Sequence, residues 1–138
     1  MSLIDKHAND ARPDPAIARD ITARLKKEGL ACAVAFDIAR KLGCAPAQVG
    51  RTADLMQIRL VKCQLGLFGY TPQKKIVDSR LPPEPALGEA VRSGLVDDRL
   101  PCEAAWHIAA QFGVPKMTVS SACEALGVKI KPCQLGAF

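Results

Sequence analysis

Residues 13–68 align with residues 83–138 without a gap, at a constant offset of 70. This internal repeat limits the possible folds more than any other feature of the chain. Identical pairs include Pro13/Pro83, Pro15/Pro85, Leu25/Leu95, Leu30/Leu100, Cys32/Cys102, Ala35/Ala105, Ile38/Ile108, Ala39/Ala109, Gly43/Gly113 and Val49/Val119. The run Cys63-Gln64-Leu65-Gly66 recurs whole as Cys133-Gln134-Leu135-Gly136, and Phe68 matches Phe138. Other pairs keep their character, as in Phe36/Trp106, Leu42/Phe112 and Ile58/Val128. A unit of 56 residues buries only roughly 60% of the surface its unfolded chain exposes. Packing of repeat on repeat, or dimerisation, is therefore expected.

The repeat divides the chain into a leader over 1–12, a first unit over 13–68, a linker over 69–82 and a second unit over 83–138. The leader lacks apolar periodicity and is expected to fray. The linker is polar and punctuated by Gly69, Pro72 and Pro82. Its apolar pair, Ile76-Val77, suits a short strand or a docking contact. A hydrophobic content of 49% with 24% charged residues excludes collagen-like and fully disordered classes. No run approaches the roughly 18 apolar residues of a membrane span, so no membrane partner is expected. The N-terminus, Met1-Ser2-Leu3-Ile4-Asp5-Lys6-His7, has no apolar signal-peptide core, and a cytoplasmic location is the expectation.

Within each unit the apolar spacing predicts three helices and a strand, a mainly α fold. Asp14 stands before Pro15 in an N-cap arrangement, Ile17, Ile21 and Leu25 follow at helical spacing, and Gly29 stops the helix. Leu87, Val91 and Leu95 repeat the pattern, although the exit Val96-Asp97-Asp98-Arg99 lacks the glycine. A second helix is predicted over 32–42, ending at Gly43, and a third over 46–56; the second copy gives 102–112 and 116–126. The segments 58–68 and 128–138 are rich enough in Ile, Val and Leu for a strand or wing.

The second and third helices of each unit meet at a short glycine turn. A small residue suits the close helix crossing, a glycine allows φ > 0 at the turn, and a branched apolar residue six positions later pins the next helix to the core. Those positions are Ala39, Gly43 and Val49, repeated as Ala109, Gly113 and Val119. The stretch Ile108-Ala109-Ala110-Gln111-Phe112-Gly113-Val114-Pro115-Lys116-Met117-Thr118-Val119-Ser120-Ser121 resembles the helix-turn-helix of bacterial transcription regulators such as the lac repressor family. The resemblance covers about 20 residues in each copy. It implies a recognition helix in the DNA major groove whose N-terminal residues reach phosphates and base edges. Residues so placed are Lys116, Thr118, Ser120 and Ser121 in the second copy, and Gln48, Arg51 and Thr52 in the first. The first copy departs from the usual pattern in carrying Gly50 inside its recognition helix and Ala45 and Ala47 around the turn. Asp54 and Glu124, one turn further on, would face a phosphate backbone unfavourably unless they turn away.

Nineteen basic against 14 acidic residues give a net charge of +5, which permits a polyanionic partner. Residues 1–70 carry 11 basic and 7 acidic groups, net +4, and residues 71–138 carry 8 and 7, net +1. An aromatic content of 4% argues against RNA or single-strand binding by stacking, and the nucleic-acid partner that the resemblance implies is duplex DNA. Adjacent major-groove turns lie about 34 Å apart. A linker of 14 residues reaches at most roughly 46 Å extended and about 20 Å as a coil, so tandem binding by one chain and binding as a homodimer are both allowed. The alternative function is a protein-interaction adaptor built on the same helices, with thiols as sensors.

Six cysteines without an export signal read as reduced thiols. Cys32/Cys102 and Cys63/Cys133 recur in both copies, each pair member at a helix start or on the following segment. Packing is the favoured role, and redox sensing by these four is the functional alternative. With no Cys-x-x-Cys and only His7 and His107, no metal site and no cofactor are expected. Gln64 and Gln134 of the repeated Cys-Gln-Leu-Gly suit bonds to a neighbouring segment. His107, Lys26-Lys27 and Lys74-Lys75 read as solvated surface. The chain carries no Gly-rich phosphate loop and no Ser-His-Asp set, so no enzymatic activity is expected.

Overall fold

The computed structural model describes residues 11–70, 75–77 and 83–137. Most of the predicted leader, Lys74, much of the predicted linker and Phe138 lie outside these residues. The fold is mainly helical, with six helices and four two-residue strands among the described residues. The chain forms two compact units: residues up to Cys63 together with Leu135–Ala137, and Gln64–Gln134. The compact units therefore do not coincide with the sequence repeats. The segment after Cys63 belongs with the second unit, and Leu135–Ala137, in the repeat counterpart of that segment, belong with the first.

The first unit begins with α1 (Pro15–Arg24). Asp14 Oδ1 accepts from the N–H groups of Ala16 at 2.9 Å and Ile17 at 3.1 Å, satisfying two donors that the first helical turn leaves unpaired. Ile17 and Ile21 are buried, each contributing roughly 1.5–3 kcal/mol of apolar burial. Leu25 does not extend this stripe. The helix ends at Arg24, the chain becomes extended, and Leu25 is 39% exposed. Gly29 serves a different end from stopping the helix. It takes φ +135, and a Cβ there would lie 2.5 Å from the carbonyl oxygen of Arg59, so the glycine lets two segments approach.

Those segments are β1 (Leu30–Ala31) and β2 (Leu60–Val61), paired in parallel with Leu30 opposite Leu60. The predicted strand over 58–68 is thus cut to two residues, since Lys62 leaves the extended region with φ 51. Its partner lies just before the second helix, far off in sequence, so local apolar spacing does not indicate the pairing. Between the strands lie α2 (Cys32–Leu42) and α3 (Pro46–Leu55). Their core is Ala35, Ile38, Ala39, Val49 and Ala53, each at most 3% exposed.

The second unit repeats this order with α4 (Pro85–Ser93), β3 (Arg99–Leu100), α5 (Cys102–Phe112), α6 (Lys116–Leu126) and β4 (Lys129–Ile130). Strand β3 pairs with β4 in parallel, Leu100 opposite Ile130. Leu87, Val91, Ala105, Ala109, Val119, Ala122 and Cys123 are buried. Gly94 caps the exit of α4, and the turn beyond it is made without glycine: Asp97 and Asp98 take φ 52 and φ 64 in a tight turn closed between Val96 and Arg99. Aspartate tolerates the left-handed region better than most side chains, and a two-residue turn with both central φ positive needs that tolerance. The Ile76-Val77 pair makes a docking contact rather than a strand. Ile76 N–H donates to Gly66 O at 2.8 Å, and both side chains stand about Gly66.

Candidate nucleic-acid interface

The two helix pairs turn in the same way. Gly43 ends α2 at φ 65 and Gly113 ends α5 at φ 63, and each donates to carbonyls of the preceding helical turn. Cys44 N–H then donates to Ala39 O, and Val114 N–H to Ala109 O, both at 3.0 Å. A glycine in the left-handed region satisfies the terminal carbonyls without a Cβ clash. Val49 and Val119 are fully buried, and Ala39 and Ala109 are at most 4% exposed. These residues hold α3 against α2 and α6 against α5.

On α3, Gln48 and Arg51 are exposed and lie three residues apart on one face. Gln48 is already engaged, since its Oε1 accepts from Ala45 N–H at 3.0 Å. It supplies the reach-back half of a helix cap at a turn whose alanines offer no polar side chain. Arg51 is in no ion pair among the described residues. Thr52 is only 3% exposed, because three residues beyond Val49 it shares the core-facing side, so it is withdrawn from any ligand surface. Asp54 is 4% exposed and has turned away from the outer face, removing the expected repulsion toward phosphate.

On α6, Thr118 is exposed and Ser121 half-buried. Ser120 is fully buried, and its hydroxyl oxygen has no hydrogen-bond partner among the described residues, so it too is withdrawn from the surface. Lys116 is half-buried, with its Nζ 4.4 Å from the centre of the Trp106 ring. That cation–π contact is worth about 0.5–1 kcal/mol at a partly exposed site. Glu124 pairs with Lys75. The Lys116–Trp106 contact was readable in principle, since the pair straddles the Gly113 turn, but spacing alone does not orient a lysine.

Charge is unevenly compensated in the first unit. Asp37 accepts from Arg40 at 3.1 Å and lies 3.5 Å from Arg24. Lys41 lies 3.3 Å from Asp20, and Lys62 lies 3.7 Å from Glu28. Arg19, Lys26, Lys27, Arg51 and Arg59 are exposed and enter no ion pair among the described residues. The lysine pair at 26–27 is solvated surface, as its sequence context predicted. In the second unit His107 is exposed, 3.9 Å from Glu103 one helical turn away.

All six cysteines are thiols. Cys32, Cys63 and Cys102 are at most 6% exposed, while Cys133 is half-buried. Burial, with Glu124 adding to it, pushes the Cys123 thiol up to about 11, which makes it a poor nucleophile near neutral pH. No three His, Cys, Asp or Glu side chains among the described residues converge as metal ligands would.

The face of α3 next to Arg51 holds the residue whose role spacing did not reveal. Gly50 is packed against the backbone of Leu135, which lies in the same compact unit. Its place inside a helix, read as a departure from the motif, was itself a signal of close backbone approach. No family model, no curated protein and no solved structure matches the chain.

Proposed function

We propose that the chain is a cytoplasmic regulator that binds duplex DNA through two tandem three-helix units of helix-turn-helix type. Arg51 with Gln48 on α3, and Thr118 with Ser121 on α6, form the contact surface, and Lys116 adds charge beside Trp106. The observation that carries this reading is Arg51: an exposed guanidinium without a counter-ion among the described residues, on the second helix of a glycine-turn pair. Arginine there can take a phosphate or the O6/N7 edge of guanine. The other uncompensated bases of the first unit support it by adding positive field. One chain placing both units, or a homodimer placing one each, would serve.

The test is a titration with mixed-sequence duplex DNA at two salt concentrations. Binding that weakens steeply with salt, as counter-ion release requires, is the expected result. Absence of binding at low salt, or binding indifferent to salt, would reject it. The second reading, a protein-interaction adaptor, is favoured by one observation: Gly50, Thr52 and Ser120 lie on buried faces, which narrows the surface left for a groove. An adaptor would bind its partner without that salt dependence.

A further inference from the structure

Cys102 opens α5, and its backbone N–H donates to the carbonyl of Pro132 at 3.0 Å. In a parallel ladder an N–H bonds the carbonyl that precedes the facing residue. Leu30 N–H bonds Arg59 O in this way where Leu30 faces Leu60. Cys102 lies past the Leu100–Ile130 pair, in the first turn of α5, and its bond to the carbonyl that precedes Cys133 brings the backbones of the two cysteines side by side there. A disulfide bridges Cα atoms roughly 4.4–6.8 Å apart, a separation that backbones joined by one N–H···O bond allow.

The side chains on either side of this backbone bond support the juxtaposition. Gln134 Nε2 donates to Cys102 Sγ at 3.4 Å, which fixes the buried sulfur beside the segment that carries Cys133. Cys102 is 6% exposed, whereas Cys133 is half-buried and so accessible to a small solute. One reachable thiol backed by one sheltered thiol is the arrangement that a peroxide-sensing pair needs. Cys123, by contrast, is buried and hard to ionise.

We propose that Cys102 and Cys133 are a redox-active dithiol that closes to a disulfide when a hydroperoxide reaches Cys133. The Cys133 sulfur attacks one peroxide oxygen, the O–O bond breaks, and water or an alcohol leaves as Cys133 becomes a sulfenic acid. The Cys102 sulfur then attacks the Cys133 sulfur, the S–O bond breaks, and water leaves. Two thiols are oxidised by two electrons, one peroxide is reduced, and both thiol protons end in the departing water or alcohol. The pair is independent of the DNA-binding reading and stands or falls separately.

The experiment treats the folded, full-length chain with a slight excess of hydrogen peroxide, alkylates the remaining thiols after unfolding, and maps peptides by mass. The expected result is a cross-linked peptide joining Cys102 to Cys133, lighter by two hydrogens, which a dithiol reductant reverts to two alkylatable thiols. Cys133→Ser should leave Cys102 as a thiol at the same dose, with circular dichroism confirming that the variant folds. The wild-type map decides the matter even if that variant does not fold. Sulfenic or sulfinic acid at Cys133 without the cross-link would overturn the proposal. So would both thiols remaining intact at a dose that oxidises the half-buried Cys44.

Discussion

A Cβ built on Gly50 would stand 1.7 Å from the carbonyl oxygen of Leu135. The obstacle is backbone, so no rotamer change relieves it, and Leu135 itself is 1% exposed. Gly50→Ala should therefore destabilise the first unit despite the helix propensity of alanine, by about 1–3 kcal/mol, the usual cost of overpacking. Urea unfolding monitored by circular dichroism checks it. An unchanged or raised midpoint would mean that Leu135 does not pack there in solution. The second copy carries Ser120 at the corresponding place, so this close approach is special to the first unit.

Gln57 has φ 58 just past α3, and Gly127, its counterpart in the repeat, has φ 70 at the end of α6. A side chain in the left-handed region costs roughly 1–2 kcal/mol that glycine avoids. Gln57→Gly is expected to stabilise the protein by up to about 1 kcal/mol, since glycine also gives the unfolded chain more freedom. Gly127→Ala should destabilise it by a similar amount. Thermal unfolding of the two variants with opposite signs is the outcome to look for.

Ser120 carries a buried hydroxyl oxygen without a hydrogen-bond partner among the described residues. Leaving a buried polar group unsatisfied costs about 1–3 kcal/mol, and alanine keeps the Cβ while removing the oxygen. Ser120→Ala should raise stability by about 1 kcal/mol and leave DNA binding unaltered. A loss of stability in denaturant titration would show that the hydroxyl has a partner after all.

Arg51→Ala should weaken duplex DNA binding and lower the slope of log affinity against log salt by about one, the signature of one lost phosphate contact. If Arg51 reads a guanine instead, discrimination should fall by about 1–3 kcal/mol with little change in slope. Thr52→Ser, altering a buried group, should change neither. Equal affinity and slope for Arg51→Ala and the parent would remove Arg51 from the interface.

Cys123 titrates at about 11 in the folded chain, against an ordinary value of 9.0, first because it is buried and second because Glu124 is adjacent. The folded state thus holds the proton more tightly than the unfolded one. The stability this confers is fully present below pH 9 and is lost as pH rises from about 9 to about 11. Lysines also deprotonate in that range, so the comparison to make is with Cys123→Ala. The difference in unfolding midpoint between the two proteins should shift against the parent as pH rises through this window, and a constant difference would count against burial of the thiol.

Much of the local structure follows from the sequence because its causes are local. Asp14 before Pro15 specifies the start of α1, Gly43 and Gly113 specify where α2 and α5 end, and the buried spacing of Ile38, Ala39 and Val49 specifies how the helix pair closes. Each depends on hydrogen bonds or side-chain spacing within a few turns. The exposure of Arg51, too, follows from its position two residues past the buried Val49 on one helix.

What only the tertiary structure decided involves residues far apart along the chain. Leu30 facing Leu60 turns a predicted strand of eleven residues into a parallel pair of two, because a ladder extends only as far as both backbones stay extended. Leu25, on the periodic stripe, is exposed because the chain turns away before the stripe is complete. The repeat determined by itself that one supersecondary unit occurs twice. It could not determine that Leu135–Ala137 join the first compact unit, since both copies present the same Cys-Gln-Leu-Gly string. That choice follows from backbone approach at Gly50, where the absence of a side chain admits Leu135, and such complementarity exists only once the chain has folded.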